Sequence, residues 1–100
     1  MFGKSATRHI VVTRAEGLHA RPCLAISRAA KQFRSRMELR CGNQQADARS
    51  VLELLTLGAA EGTEIVLFAK GPDADEAVDA VIGLFHNDFG LSGDGGRDAR

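Results

Sequence analysis

Tryptophan and tyrosine are absent from this chain of 100 residues, and cysteine, proline and methionine occur twice each. Cys23 and Cys41 are too few for a disulfide framework and too far apart for a metal or redox pair, so they read as two reduced, structural thiols. No apolar stretch approaches the about 18 residues that a membrane-spanning helix requires, and no membrane insertion is expected. Met1 to Arg8 carries basic residues without an apolar core or a small-residue cleavage site, which argues for a cytoplasmic location. Net charge is lacking too: 13 Lys plus Arg face 13 Asp plus Glu, which speaks against general attraction to nucleic acid. An RNA-binding α+β domain would need stacking aromatics on exposed strands, and among five phenylalanines only Phe68 qualifies.

What is present points to one small domain. A chain this short buries only roughly 60 to 65% of the surface it exposes when unfolded, enough for a two-layer core and not for a deep internal site. The zero charge hides a division. Residues 1–40 hold nine basic and two acidic side chains (+7), and residues 41–100 hold four and eleven (−7), a segregation that suits a basic docking face for an acidic partner.

Periodicity predicts a strand from Thr7 to Arg14, with Ile10 and Val12 on one face and Arg8 and Arg14 extending it. From Arg21, the positions Pro22, Ile26, Ala29, Ala30 and Phe33 keep helical spacing, with Arg28, Lys31 and Arg34 outside the stripe. Pro22 fits only a first turn, so this helix must begin immediately after His19. Arg36 to Cys41 is a strand with Met37, Leu39 and Cys41 inward, and Gly42-Asn43 turns it into a third strand near Gln44 to Ala46. Ser50 with Glu53 makes a capping box for a short helix that ends at Gly58. Thr63 to Lys70 is a fourth strand with Ile65, Leu67 and Ala69 inward. Asp73 with Glu76 makes a second box, opening a helix whose stripe is Ala77, Val78, Val81, Ile82 and Phe85. The order is βαββαβα, an α+β open-faced β-sandwich: a four-stranded antiparallel sheet with three helices on one face. From Gly90 the chain is polar and glycine-rich, so residues 90–100 are expected to be disordered.

Gly17-Leu18-His19-Ala20-Arg21-Pro22 makes chemical sense as a unit. An imidazole at a helix start meets unpaired backbone N–H groups and a partial positive charge, so an anion on that ring would be held by backbone amides. Arg21 adds a planar, permanently charged donor fork suited to phosphate oxygens. The helix field is expected to favour the neutral, nucleophilic ring. A histidine before a helix is more often an ordinary surface residue, and His9 and His86, without convergent partners, receive that reading. No metal site is expected.

This motif, with Ser50-Val51-Leu52 and Leu57-Gly58 downstream, resembles the HPr family of phosphocarrier proteins of the bacterial phosphoenolpyruvate-dependent phosphotransferase system. The match runs ungapped over about residues 5 to 88, within a domain set at residues 1–89. The resemblance implies that His19 accepts a phosphoryl group from phosphorylated enzyme I and passes it to an enzyme IIA component in sugar transport. It also implies that Arg21 pairs with the phosphate, that the amides of Ala20 and Arg21 cradle it, that no cofactor is needed and that the chain acts as a monomer. Leu18, Leu24, Leu52 and Leu55 are the candidate apolar contacts for partners, although Leu55 fits ordinary core equally well, and Arg28 and Lys31 would extend the contact toward acidic surfaces. Ser50 aligns with the family's regulatory serine, the target of an HPr kinase/phosphorylase; its role as helix cap is sufficient by itself, and Glu53 one turn on would repel a phosphate there. Cys23, where family members commonly have alanine, puts a thiol near the histidine and raises the question of redox sensitivity. The run Ala77 to Phe85 is similar to the nitrogen-branch paralogue NPr. The alternative function is accordingly a regulatory binding module that keeps the fold and acts through protein contacts.

Overall fold

A computed structural model describes residues 4–87 and 89. The elements run β1 (Ser5–Val11), α1 (Ala20–Ala30), β2 (Arg36–Cys41), β3 (Gln44–Asp47), α2 (Val51–Leu57), β4 (Glu64–Lys70) and α3 (Ala74–His86), the expected βαββαβα order. The sheet order is β1-β4-β2-β3 and every neighbouring pair is antiparallel. Leu67 stands opposite Leu39 on one side and Arg8 on the other, and Leu39 stands opposite Ala46. Since side chains alternate along a strand, this register puts Ala6, Met37, Leu39, Ala46, Ile65, Leu67 and Ala69 on one buried face.

The helices cover that face. α3 packs on β1 and β4, α2 lies beside β3, and α1 rests between the other two helices. Their stripes supply Ile26, Leu54, Val78 and Val81, all sealed from solvent, each worth roughly 1.5–3 kcal/mol by burial. Arg8 belongs to the same face, and its guanidinium reaches Asp75 at 3.6 Å and Asp79 at 3.4 Å on α3, which explains a cation at the margin of an apolar layer.

Four local expectations shift. β1 spans Ser5–Val11 rather than Thr7–Arg14 because its partner β4 begins at Glu64, opposite Val11; beyond it Val12 still exchanges backbone bonds with Thr63 and Gly62. α1 ends at Ala30, and Phe33 reaches the core from a tightened turn in which Gln32 and Phe33 donate to Ala29 and Ala30. The capping box at Ser50 forms by half. Ser50 Oγ accepts from the Glu53 amide at 3.1 Å, but the Ser50 amide donates to the Asp47 carbonyl, so Glu53 Oε1 accepts from the Asp47 amide instead, at 2.8 Å.

The box at Asp73 does not form. Its carboxylate accepts from the amides of Arg34 and Ser35 and from Ser35 Oγ, and those bonds, the Ser35 hydroxyl foremost, hold its pKa down at about 2. Gly71 permits this approach, since a Cβ there would lie 2.5 Å from Ser35 Oγ. The tail expected to be disordered from Gly90 lies outside the described residues.

Candidate functional site

The chain leaves β1 through a turn in which the Gly17 amide donates to the Arg14 carbonyl, and Gly17 adopts φ +69°. It then passes close under the segment that follows α2: a Cβ on Gly17 would stand 2.4 Å from the Ala59 carbonyl oxygen. The Leu18 amide donates to that same oxygen at 2.9 Å. Leu18 itself is only 6% exposed, so the expectation that it contacts partners is corrected. Its side chain belongs to the core, on a loop that the Ala59 bond ties inward.

His19 is the N-cap of α1, in extended conformation (φ −111°, ψ −163°), with its side chain making no cap bond. Its carbonyl accepts from Cys23 at 3.1 Å, closing the first turn. Pro22 has no N–H, so the amides of Ala20 and Arg21 are the orphan donors of this helix start, and no acidic residue lies in the first turn to occupy them. Of the two ring nitrogens, Nε2 is shut off from water without a hydrogen-bond partner among the described residues, and the side chain as a whole is half-buried. The arrangement therefore sets the ring beside two amides that are unbonded among the described residues and beside the exposed Arg21, a combination suited to an anion.

Exposed apolar side chains lie on the two helices α1 and α2. Leu24 on α1 and Leu52 and Leu55 on α2 are exposed, Leu52 by 74%, and Leu55 is surface rather than core. The two helices are tied together where Ser27 Oγ donates to the Arg49 carbonyl at 2.8 Å, next to Ser50. Ser50 is half-buried and serves α2 as its cap. Arg28 and Lys31 are exposed along α1.

Cys23 lies one turn from His19, but it is sealed in the core and burial pushes its thiol up to about 11. A thiolate is the reactive form, so the question of redox sensitivity is answered against Cys23. His9 stands on the uncovered sheet face, 3.5 Å from Glu64, and His86 lies exposed in the last turn of α3; neither joins His19. Among the described residues no group of three His, Cys, Asp or Glu side chains is placed to hold a metal ion.

The family model described as the PTS HPr component phosphorylation site matches residues 6–87. The chain is similar to the phosphocarrier protein HPr of Cupriavidus necator, with 36% identity over 74% of this chain and 83% of the relative. It is similar also to the phosphocarrier protein NPr of Escherichia coli, with 37% identity over 80% of this chain and 90% of the relative. Among solved structures, HPr-C-His from Thermoanaerobacter tengcongensis superposes with a TM-score of 0.82 at 30% identity, covering 87% of this chain and 98% of that one. With the element order, the sheet and a histidine at a helix start all in agreement, the chain belongs to the HPr family and is a phosphoryl carrier of the phosphotransferase system.

Proposed function

We propose that His19 is the phosphoryl acceptor, taking the group on Nδ1 from phosphorylated enzyme I and handing it to a histidine of an enzyme IIA component in sugar transport. The observation that carries the reading is a half-buried imidazole at a helix start whose Ala20 and Arg21 amides have no partner among the described residues. In each step the lone pair of a neutral imidazole nitrogen attacks phosphorus in line while the bond to the donor breaks. The transition state is loose, so positioning and charge compensation supply nearly all of the catalysis. Arg21 pairs with the phosphate oxygens, and the amides of Ala20 and Arg21 cradle them. A helix terminus returns only about 0.3–1 kcal/mol to a charge at its end, up to about 2, which steadies the phosphoimidazole without trapping it.

Leu24, Leu52 and Leu55 provide the apolar contact, with Arg28 reaching toward acidic partner surfaces. Ser50 is the residue an HPr kinase/phosphorylase would modify; its occupied hydroxyl and the neighbouring Glu53 carboxylate support the capping role over the regulatory one. No described helix is long and apolar enough to cross a membrane, and the reading places the chain in the cytoplasm, as a monomer. The likeness to NPr favours a second reading, service in a nitrogen-regulatory branch with the same chemistry and different acceptors.

Incubation with enzyme I and phosphoenolpyruvate should give an acid-labile, base-stable phosphoprotein, and His19→Ala should give none. Absence of label on the wild-type chain overturns the reading.

A further inference from the structure

Along the outer edge of α2 runs a hollow of about 410 Å³, bounded by Gln44, Gln45, Leu52, Glu53, Thr56 and Leu57. Its wall is apolar at Leu52 and Leu57, and Glu53 is the one charged residue lining it. The Glu53 carboxylate is already held in place: Oε1 accepts from the Asp47 amide at 2.8 Å, while Oε2 has no partner among the described residues. The nearest cation in sequence, Arg49, donates instead to the Phe33 carbonyl at 2.8 Å. The hollow is therefore an apolar trough ending in a fixed, half-used carboxylate. That shape suits a long side chain with an aliphatic stem and a cationic head.

We propose that this hollow receives a lysine or arginine of the phosphoryl acceptor protein, its stem against Leu52 and Leu57 and its head on Glu53. The inference rests on the reading that His19 is the phosphoryl site and that α1 and α2 together face its partners. Charge decides which partner. The donor meets the empty carrier, whose free amides and Arg21 present positive potential to a phosphorylated surface. The acceptor meets the loaded carrier, in which a phosphate of roughly −1.5 to −2 charge has engaged those groups. Glu53, whose Oε2 has no bond or ion pair among the described residues, then stands next to Leu52, and a basic side chain matches it. The carrier thus shows its two partners different electrostatic faces with the same apolar contact.

The test separates loading from delivery. Wild type, Glu53→Gln and Glu53→Lys are loaded by phosphorylated enzyme I, then mixed with enzyme IIA, and both rates are followed at low and high salt. Glutamine keeps the acceptor for the Asp47 amide, so the fold is preserved and a thermal melt checks it. Delivery at subsaturating acceptor should slow about two- to five-fold in Glu53→Gln, the range of an exposed ion pair, and further in Glu53→Lys. Loading should stay within about two-fold of wild type, and the difference in delivery should shrink at high salt. Unchanged delivery, or equal losses in loading and delivery, overturns the inference while leaving the phosphocarrier reading intact. A wild-type chain that never loads removes the basis of both.

Discussion

Asp73 joins two parts of the chain that lie 38 residues apart, taking up both backbone amides at the start of β2 and the Ser35 hydroxyl. Its pKa in the fold, about 2, is below the 3.8 of an unfettered aspartate. A depressed carboxylate contributes stability that is present above the unfolded value and is lost as pH falls through the folded one. The denaturant midpoint of Asp73→Asn should therefore lie below wild type at neutral pH, and the gap should narrow between about pH 4 and pH 2. A constant gap across that window would contradict the assignment. The sequence could not show this role, because Asp73 and Glu76 satisfy the local pattern of a capping box and only the folded chain brings Ser35 within reach. His19 was legible for the opposite reason: Pro22 alone dictates where α1 starts. Leu18 was not, since a leucine beside a glycine fits partner surface and core equally well until the Ala59 bond turns it inward.

At the scale of elements, the entry to α1 depends on close backbone contact. Gly17→Ala would drive a methyl against the Ala59 carbonyl at 2.4 Å in a left-handed conformation, and should cost about 1–3 kcal/mol or more. Gly83 in α3 meets nothing within 4 Å, so Gly83→Ala should instead stabilise by up to about 1 kcal/mol through helix propensity. Urea melts of the two variants check the opposite signs, and Gly17→Ala should also slow labelling of His19 because the loop that presents the ring is displaced. Equal melts would sink the argument for this contact. The starts and faces of elements were readable from period and turn residues; their ends were less so. Phe33 continues the helical spacing of α1 although the helix has closed at Ala30, and β1 stops where β4 has no more backbone to offer. Periodicity records which side chains go inward, and Phe33 does go inward by another route.

For the whole molecule, the sheet order puts β4 and β2 inside and β1 and β3 at the edges. Hydrogen exchange should accordingly be slowest at Leu67 and Leu39 and fastest among strand amides in β3, a four-residue edge strand. Protection of β3 equal to that of β4 would mean that the edge is covered in solution. The division of charge was visible in composition, but its use was not. Part of the basic first half is paired within the chain, where Arg8 meets Asp75 and Asp79 at the margin of the core, and Arg21 and Arg28 remain for the exterior. A carrier must be accepted in turn by two proteins. With Leu18 set into the core and its amide held from across the fold, the residue before the imidazole is tied to the segment that follows α2. A loop so tied would keep its contour whether full or empty, and a partner would then tell the two apart by charge.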